Sequence, residues 1–261
     1  METLLVIDVG NSNIVLGVYA GETLLNSWSL ATSRDRTADE YGILATQLIG
    51  EEIRRGIDGA IVSSVVPPLH FTIRSMVLRC FGVDPVFVEP GIRTGLSIKT
   101  ENPLEVGADR IVNAVAAHHI YGGTSIVVDF GTATTFDLVT AKGEYRGGAI
   151  APGLTISAEA LFTRAARLPR VEIRKPAHLI GTNTVASMQS GLYWGYVGLV
   201  EGIILRMRAE EPAVERVVAT GEMASVIHEE TRSIDVVDLE LTLKGLKLIY
   251  ERNAKGRGRR G

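Results

Sequence analysis

The chain has very little cysteine and no excess of positive charge. A single cysteine, Cys80, stands among 261 residues, which excludes an internal disulfide and a metal site built from several cysteines. So little cysteine is typical of a reducing compartment, and we predict a cytoplasmic location. There are 27 Lys and Arg residues against 30 Asp and Glu residues, a formal net charge of −3. Nucleic-acid binders present a large basic surface, so we expect no nucleic-acid partner.

Long hydrophobic runs are also missing. The run Leu192–Leu205 is about 14 residues long and contains Glu201, whereas a membrane span needs about 20 apolar residues. No N-terminal signal is visible, because the chain opens directly into the predicted strand Leu4–Val9. We therefore expect no membrane partner. The basic stretch Lys255–Arg260 is rich in glycine, and we predict that residues 254–261 form a disordered tail.

What the chain does contain is an ordinary globular composition, with 46% hydrophobic and 22% charged residues. Apolar runs, turn residues and capping signals predict strands interspersed with helices. The predicted strands are Leu4–Val9, Ile14–Tyr19, Leu24–Ala31, Ala60–Val66, Val86–Glu89, Ser125–Asp129, Thr134–Thr140, Tyr145–Ala151 and Val217–Thr220. The predicted helices run from Thr37 to about Ile53, from Pro67 to about Phe81, over Ala108–Tyr121, after Gly153, over Thr184–Glu210 and over Leu243–Arg252.

A short pattern occurs twice, close to half a chain length apart. Val6–Gly10 and Val127–Gly131 are both apolar strands that end in an aspartate, one further residue and a glycine. The offset between Asp8 and Asp129 is 129 − 8 = 121 residues. Chance can produce so short a repeat, but it also fits two similar domains, each opening with a strand meander.

Four glycines follow one another along the predicted helix Thr184–Glu210. Gly191, Gly195, Gly198 and Gly202 are spaced by four, three and four residues, which places them on one helical face. Each costs about 1 kcal/mol relative to alanine in a helix interior. We expect close packing to offset that cost, against either an intrachain neighbour or a second subunit.

Two polar turns are the first candidates for chemistry. Asp8-Val9-Gly10-Asn11-Ser12-Asn13 can direct several backbone N–H groups towards phosphate oxygens, and Asp8 can hold a hydrated Mg²⁺. A hairpin turn with a solvated aspartate is the simpler interpretation. Asp129-Phe130-Gly131-Thr132-Ala133-Thr134-Thr135 has the same chemistry, although threonine also favours plain strands. Because a nucleoside triphosphate held between two domains needs contacts from each, the pair together favours phosphate binding.

A third candidate is Gly107-Ala108-Asp109-Arg110, which comes just before the apolar run Ile111–Ala117. Asp109 lies where a helix begins, so it is either an N-cap carboxylate or a base that accepts a hydroxyl proton. Arg110 is either a surface ion-pair partner or a clamp for a substrate carboxylate. The residues alone leave both alternatives open.

Taken together, these motifs resemble the type III pantothenate kinases, within the actin, hexokinase and heat-shock-70 superfamily. Asp8–Gly17 and Asp129–Asp137 resemble the two phosphate loops of the superfamily, and the resemblance runs from Leu4 to Asn253. The blocks specific to the family are Glu105–Ala114, Gly147–Gly153, Gly181–Thr184 with Gln189–Gly191, and the ending Leu241–Asn253.

The resemblance implies an α/β fold of two ribonuclease-H-like domains with mixed sheets flanked by helices. We predict an N-terminal domain over residues 1–118 and a C-terminal domain over residues 119–253. It also implies ATP-dependent phosphorylation of pantothenate to 4'-phosphopantothenate, the first step of coenzyme A biosynthesis, by a homodimer. Two alternatives stay open: a kinase of another small hydroxy acid, and a non-enzymatic regulator.

The resemblance assigns a role to each site residue. Asp8, Val9, Gly10, Asn11, Ser12, Asn13 and Thr132 are expected to bind ATP, with Asp8 placing Mg²⁺ through water. Asp109 is expected to be the general base, and Gly107, Ala108, Asp109, Arg110 and Thr184 are expected to hold pantothenate. Asp129 is expected to bind a monovalent cation, K⁺ or NH₄⁺.

The chain departs from the family pattern at two positions. Thr100 stands where many relatives carry an aromatic residue, which implies a smaller wall on the pantothenate pocket. Glu222 follows Gly221 where many relatives have a second glycine, which implies a changed edge on the adenosine side.

Overall fold

The computed structural model describes residues 2–257, which form two compact units. The first unit comprises residues 2–96, 101–119 and 240–257, and the second comprises residues 97–100 and 120–239. The strands are β1 (Thr3–Val9), β2 (Asn13–Ala20), β3 (Thr23–Ala31), β4 (Ile57–Ser64), β5 (Val86–Phe87), β6 (Ser97–Ile98), β7 (Thr124–Phe130), β8 (Ala133–Val139), β9 (Glu144–Pro152), β10 (Val214–Gly221) and β11 (Val236–Val237). The α-helices are α1 (Ala38–Ile49), α2 (Glu51–Arg54), α3 (His70–Phe81), α4 (Ala108–Tyr121), α5 (Leu154–Arg164), α6 (Thr184–Glu210), α7 (Ala224–His228) and α8 (Leu241–Arg257).

The first unit is built on a five-stranded mixed sheet with the order β3-β2-β1-β4-β5. Strands β1, β2 and β3 form an antiparallel meander, whereas β4 pairs in parallel with β1 and β5 pairs in parallel with β4. Tyr41 and Ile49 of α1 and Ile73 of α3 pack with Ile7 of β1 in one buried cluster. Helix α8 packs against β1 and β4, so the sheet is covered by helices and its apolar side chains are removed from water.

The second unit repeats this arrangement. Its six-stranded sheet has the order β11-β10-β7-β8-β9-β6. β7, β8 and β9 form an antiparallel meander. β10 pairs in parallel with β7 and β11 with β10, as β4 pairs with β1 and β5 with β4 in the first unit. The long helix α6 contributes Leu192, Tyr196 and Val200 to the core of this unit. The matching strand orders confirm the predicted fold class, two mixed sheets flanked by helices.

The C-terminal helix belongs to the first unit, which differs from the predicted division at residues 118 and 119. Leu243, Leu246 and Ile249 of α8 are spaced by three residues, share one helical face and are buried. The Thr242 hydroxyl also donates to the Asn113 side-chain oxygen of α4 over 2.7 Å. The two units are therefore not continuous in sequence, because the last helix packs on the sheet of the first unit.

Several predicted bounds change in the structure. The helix predicted from Thr37 to Ile53 is interrupted at Gly50, whose φ of 80° is incompatible with a continuing α-helix. The capping box of Thr37 and Glu40 is confirmed. Helix α8 continues to Arg257, so residues 254–257, predicted as a disordered tail, are helical, and residues 258–261 lie outside the described residues.

The helices α4 and α6 have the predicted bounds. The two-residue strands β6 and β11 and the five-residue helix α7 have no counterpart in the prediction. Over the described part of the chain, no helix is both long enough and apolar enough to span a bilayer.

Candidate active site

The first polar turn is held in place by the strand that follows it. Asp8 is the last but one residue of β1, and Val9 is the last. The Gly10 N–H donates to the Asn13 carbonyl over 2.9 Å, and the Thr32 hydroxyl donates to the Gly10 carbonyl over 2.7 Å. Asn11 and Ser12 are exposed at the tip. The turn therefore presents polar groups to solvent on a fixed backbone, an arrangement suited to an anionic ligand.

Asp109 lies in the first turn of α4, not at the position before it. The helix begins at Ala108, and the Arg110 N–H donates to the Asp109 carboxylate over 2.8 Å. A β-carbon on Gly107 would lie 2.5 Å from the same carboxylate oxygen, so only glycine leaves room for it. Asp109 and Arg110 are half-buried. The carboxylate is thus held beside the helix N-terminus, and of the two alternatives for Asp109, the N-cap position is not the one that it takes.

The first turn and the start of α4 lie at one edge of the first sheet. The Val65 N–H, just after β4, donates to the Val9 carbonyl at the end of β1 over 3.1 Å. The Val65 side chain is also 3.7 Å from a β-carbon built on Gly107. The carboxyl ends of β1 and β4 and the N-terminus of α4 therefore meet, and ligands of α/β sheets bind at such an edge.

Ser63 is a residue at this edge that the sequence prediction missed. It is the partner of Asp8 across β1 and β4, so the two side chains share a face of the sheet. Ser63 is fully buried, and its hydroxyl has no hydrogen-bond partner among the described residues. The only signal in the sequence is a pair of serines at the end of an apolar run. A buried, unsatisfied hydroxyl beside a carboxylate suits a site that takes a hydrated cation.

The second polar turn repeats the placement of the first. Asp129 is the last but one residue of β7, and its strand partners are Thr135 and Thr220. The Gly131 N–H donates to the Ala133 carbonyl over 3.2 Å, and Thr132 lies half-buried between them. This turn is therefore one residue shorter than the first.

Gly221 makes room for the Asp129 carboxylate. A β-carbon at this position would lie 2.8 Å from the Asp129 side-chain oxygen and 2.6 Å from the Phe130 carbonyl. Its φ of 91° is also in the region that other residues rarely adopt. Both conditions require glycine at the end of β10.

A tyrosine of α6 packs behind the second turn. The Tyr196 hydroxyl and the Thr134 hydroxyl are joined by a buried hydrogen bond. Burial raises the pKa of Tyr196 to about 12, and the nearby negative charge of Asp129 acts in the same direction. Tyr196 is therefore neutral and available as a hydrogen-bond donor at physiological pH.

Thr184 lines a separate feature of the second unit, an open cavity of about 610 Å³. Its walls combine polar residues, Thr182 just before α6 and Thr184 at its start, with the apolar side chains of Leu161 and Met188. The Asn183 side-chain oxygen accepts the Ala186 N–H over 2.9 Å and so caps the helix that carries Thr184. A cavity with apolar walls and a few polar groups suits a small organic ligand.

The glycine face of α6 is open. Built β-carbons on Gly191, Gly195 and Gly198 meet no atom of residues 2–257 within 4 Å, and all three residues are exposed. Gly202 is approached at 3.2 Å only by Arg206 of the same helix. Within the described part of the chain, no intrachain neighbour therefore packs closely on the first three positions.

Over residues 2–257, no group of three or more His, Cys, Asp or Glu side chains could hold a metal ion by itself. The structure places Asp8, Gly107, Asp109 and Arg110 together in the first unit. Asp129, Thr132 and Thr184 lie in the second.

Comparison with known proteins identifies the family. A family model described as type III pantothenate kinase matches residues 4–206. A type III pantothenate kinase from Halalkalibacterium halodurans is 54% identical over 253 residues, covering 96% of this chain and 99% of that protein. Among solved structures, a Baf family protein from Campylobacter jejuni has a TM-score of 0.60 at 19% identity, covering 96% of this chain and 99% of that one. An inorganic polyphosphate/ATP-glucomannokinase from Arthrobacter has a TM-score of 0.53 at 14% identity, covering 98% and 100%. The two structures share the fold, and the family model and the curated relative show that this chain belongs to the type III pantothenate kinase family.

Proposed function

We propose that the protein transfers the γ-phosphoryl group of ATP to the primary hydroxyl of pantothenate, the first step of coenzyme A biosynthesis. Family membership supports this activity. The structural observation that carries it is the repeated turn. In each unit the first strand of the antiparallel meander has an aspartate as its last residue but one, Asp8 in β1 and Asp129 in β7, and a hydrogen-bonded polar turn follows that strand.

Phosphoryl transfer depends mainly on positioning and on neutralising charge. Backbone N–H groups of Gly10–Asn13 and the Thr132 residue of the second turn would orient the phosphates. Asp109 would accept the proton of the attacking hydroxyl, because its carboxylate is held at the sheet edge where β1, β4 and α4 meet. Arg110 would bind the pantothenate carboxylate, with Gly107, Ala108 and Thr184 forming the rest of the substrate site.

The residues fit the proposed cations. Asp8 offers one carboxylate, which matches Mg²⁺ that keeps most of its waters and contacts the nucleotide phosphates. The buried Ser63 hydroxyl, without a partner among the described residues, can accept or donate to such a water. Asp129, half-buried beside Gly221, is the proposed ligand of K⁺ or NH₄⁺. Bound cations would neutralise negative charge that develops on the phosphate oxygens.

We further propose a homodimer in the cytoplasm. The open face of Gly191, Gly195 and Gly198 supports the dimer, since four glycines in a helix are costly unless another backbone packs closely on them. The single cysteine supports a reducing compartment.

ADP release in a coupled assay tests the activity. Pantothenate with Mg²⁺-ATP and K⁺ should give turnover, and replacing K⁺ by Na⁺ should abolish most of it. A panel of other small hydroxy acids and neutral sugars is the control. Turnover with another acid but not with pantothenate would show that the protein is a kinase of a different substrate. If neither pantothenate nor any compound of the panel is turned over, the result would favour the non-enzymatic regulator.

A further inference from the structure

The motif Gln189-Ser190-Gly191 marks a set of contacts that ATP binding does not explain. Residues 165–183, between α5 and α6, contain no helix or strand. This segment ends in Gly181-Thr182-Asn183, which forms part of the wall of the 610 Å³ cavity. A wall without regular secondary structure keeps its shape only where other contacts fix its backbone.

Side chains of α6 supply those contacts. The Gln189 amide donates to the Glu172 carbonyl over 2.9 Å, and the Ser190 hydroxyl donates to the Leu179 carbonyl. Gln189 and Ser190 are only 8% and 4% exposed. The two donors are therefore buried, while the acceptor carbonyls belong to exposed residues, so both hydrogen bonds are part-buried. Losing its acceptor would leave a buried donor unpaired, which costs more than it does at the surface.

Apolar burial does not fix the end of the segment. Leu179 and Ile180 are 67% and 83% exposed, so their side chains contribute little to holding the backbone. Gly181 lies directly on α6, since a β-carbon there would be 2.3 Å from the Ser187 nitrogen. The backbone at 179–181 is thus positioned by close approach and by hydrogen bonds from α6.

We propose that Gln189 and Ser190 are positioning residues for the substrate pocket. By holding the Glu172 and Leu179 carbonyls, they fix the segment that leads into Thr182, Asn183 and Thr184. This inference rests on the proposed function, in which Thr184 contacts pantothenate. The two residues touch no reacting group, so they act on substrate binding and leave the chemical step unchanged.

Ser190→Ala should raise KM and the equilibrium Kd for pantothenate about three- to tenfold, the effect of losing one neutral hydrogen bond. kcat and the KM for ATP should stay within about twofold. Ser190→Thr keeps the hydroxyl and should restore most of the affinity. Thr46→Val is the matched control, because it deletes a hydroxyl that donates to the Gly42 carbonyl within α1. It should leave both KM values unchanged.

Hydrogen–deuterium exchange gives a readout that is independent of activity. Peptides covering residues 172–183 should exchange faster in Ser190→Ala, while peptides from β7 and β8 should not change. If Ser190→Ala does not fold, Gln189→Met, which keeps the side-chain size and removes the donor, tests the same prediction.

Thr184→Val separates the inference from the proposed function. A raised pantothenate KM in Thr184→Val, together with wild-type KM and exchange in the Ser190 and Gln189 variants, would overturn only the positioning role. A wild-type KM in Thr184→Val would overturn the substrate contact itself, and the positioning role with it.

Discussion

Replacing Gly221 by alanine tests the geometry of the second turn most directly. A methyl group there would lie 2.6 Å from the Phe130 carbonyl, 2.7 Å from the Phe130 nitrogen and 2.8 Å from the Asp129 carboxylate. Real β-carbons are not found under 3.0 Å from other atoms, so β7 or the carboxylate must move. The φ of 91° adds a second penalty, because it crowds any side chain.

The expected loss of stability is the sum of the steric penalty and the backbone penalty. A non-glycine residue at positive φ costs about 1–2 kcal/mol, and forcing an extra carbon into a packed site costs about 1–3 kcal/mol more. We therefore expect Gly221→Ala to lower the free energy of unfolding by about 2–5 kcal/mol. At about 2–4 °C per kcal/mol for a chain of this size, the melting temperature should fall by roughly 4–20 °C.

Gly91→Ala is the matched control, since Gly91 has a φ of 100° but no atom of the described residues lies within 4 Å of its built β-carbon. It should show the backbone penalty alone, about 1–2 kcal/mol. Differential scanning fluorimetry compares the two variants, and K⁺ titration of turnover follows the Asp129 site. Gly221→Ala should need more K⁺ for half-maximal activity, and Gly91→Ala should not. Equal melting temperatures and equal K⁺ dependence in the two variants would refute the close contact with Asp129.

Three further results follow from other parts of the structure. Asp109→Asn should lower kcat about 10²- to 10⁴-fold and leave the Kd for ATP within about twofold, as measured by ADP release and calorimetry; near-normal turnover would show that Asp109 is not the base. Gly195→Leu should halve the mass in light scattering, because the large side chain blocks the proposed dimer face; an unchanged dimer would place the interface elsewhere. Burial lowers the pKa of Lys247, but bonds to Glu22 and Glu251 outweigh it and raise the pKa above the ordinary 10.5. Because the pKa of Lys247 is higher in the folded state, its charge stabilises the fold fully below pH 10.5, and this stabilisation is lost as the pH rises through the folded-state pKa. In urea unfolding above pH 10.5, the wild type should therefore lose stability relative to Lys247→Met.

Local pattern was enough to place the polar turns and several helices. The bounds of α4 and α6 follow from apolar periodicity, and Asn183 caps the start of α6. Both signals depend on neighbouring sequence alone. The strands that carry Asp8 and Asp129 as their last residues but one were predictable for the same reason, as was the repeat between them. The sequence also determined the family, through the order and spacing of its motifs.

Contacts between distant residues decided the rest. The side-chain neighbours of Ser63 depend on which strand lies beside β1, and β4 is some fifty residues further along the chain. The C-terminal helix α8 joins the first sheet because its apolar face packs against β1 and β4. The sequence of the helix predicts an apolar face, but it does not predict which strands that face contacts. Gln189 and Ser190 look like ordinary helix residues until the carbonyls of Glu172 and Leu179 are brought against them. Local sequence fixes the conformation of a segment, whereas its partners are chosen by burial and hydrogen bonding over the whole chain, which only the tertiary structure reveals.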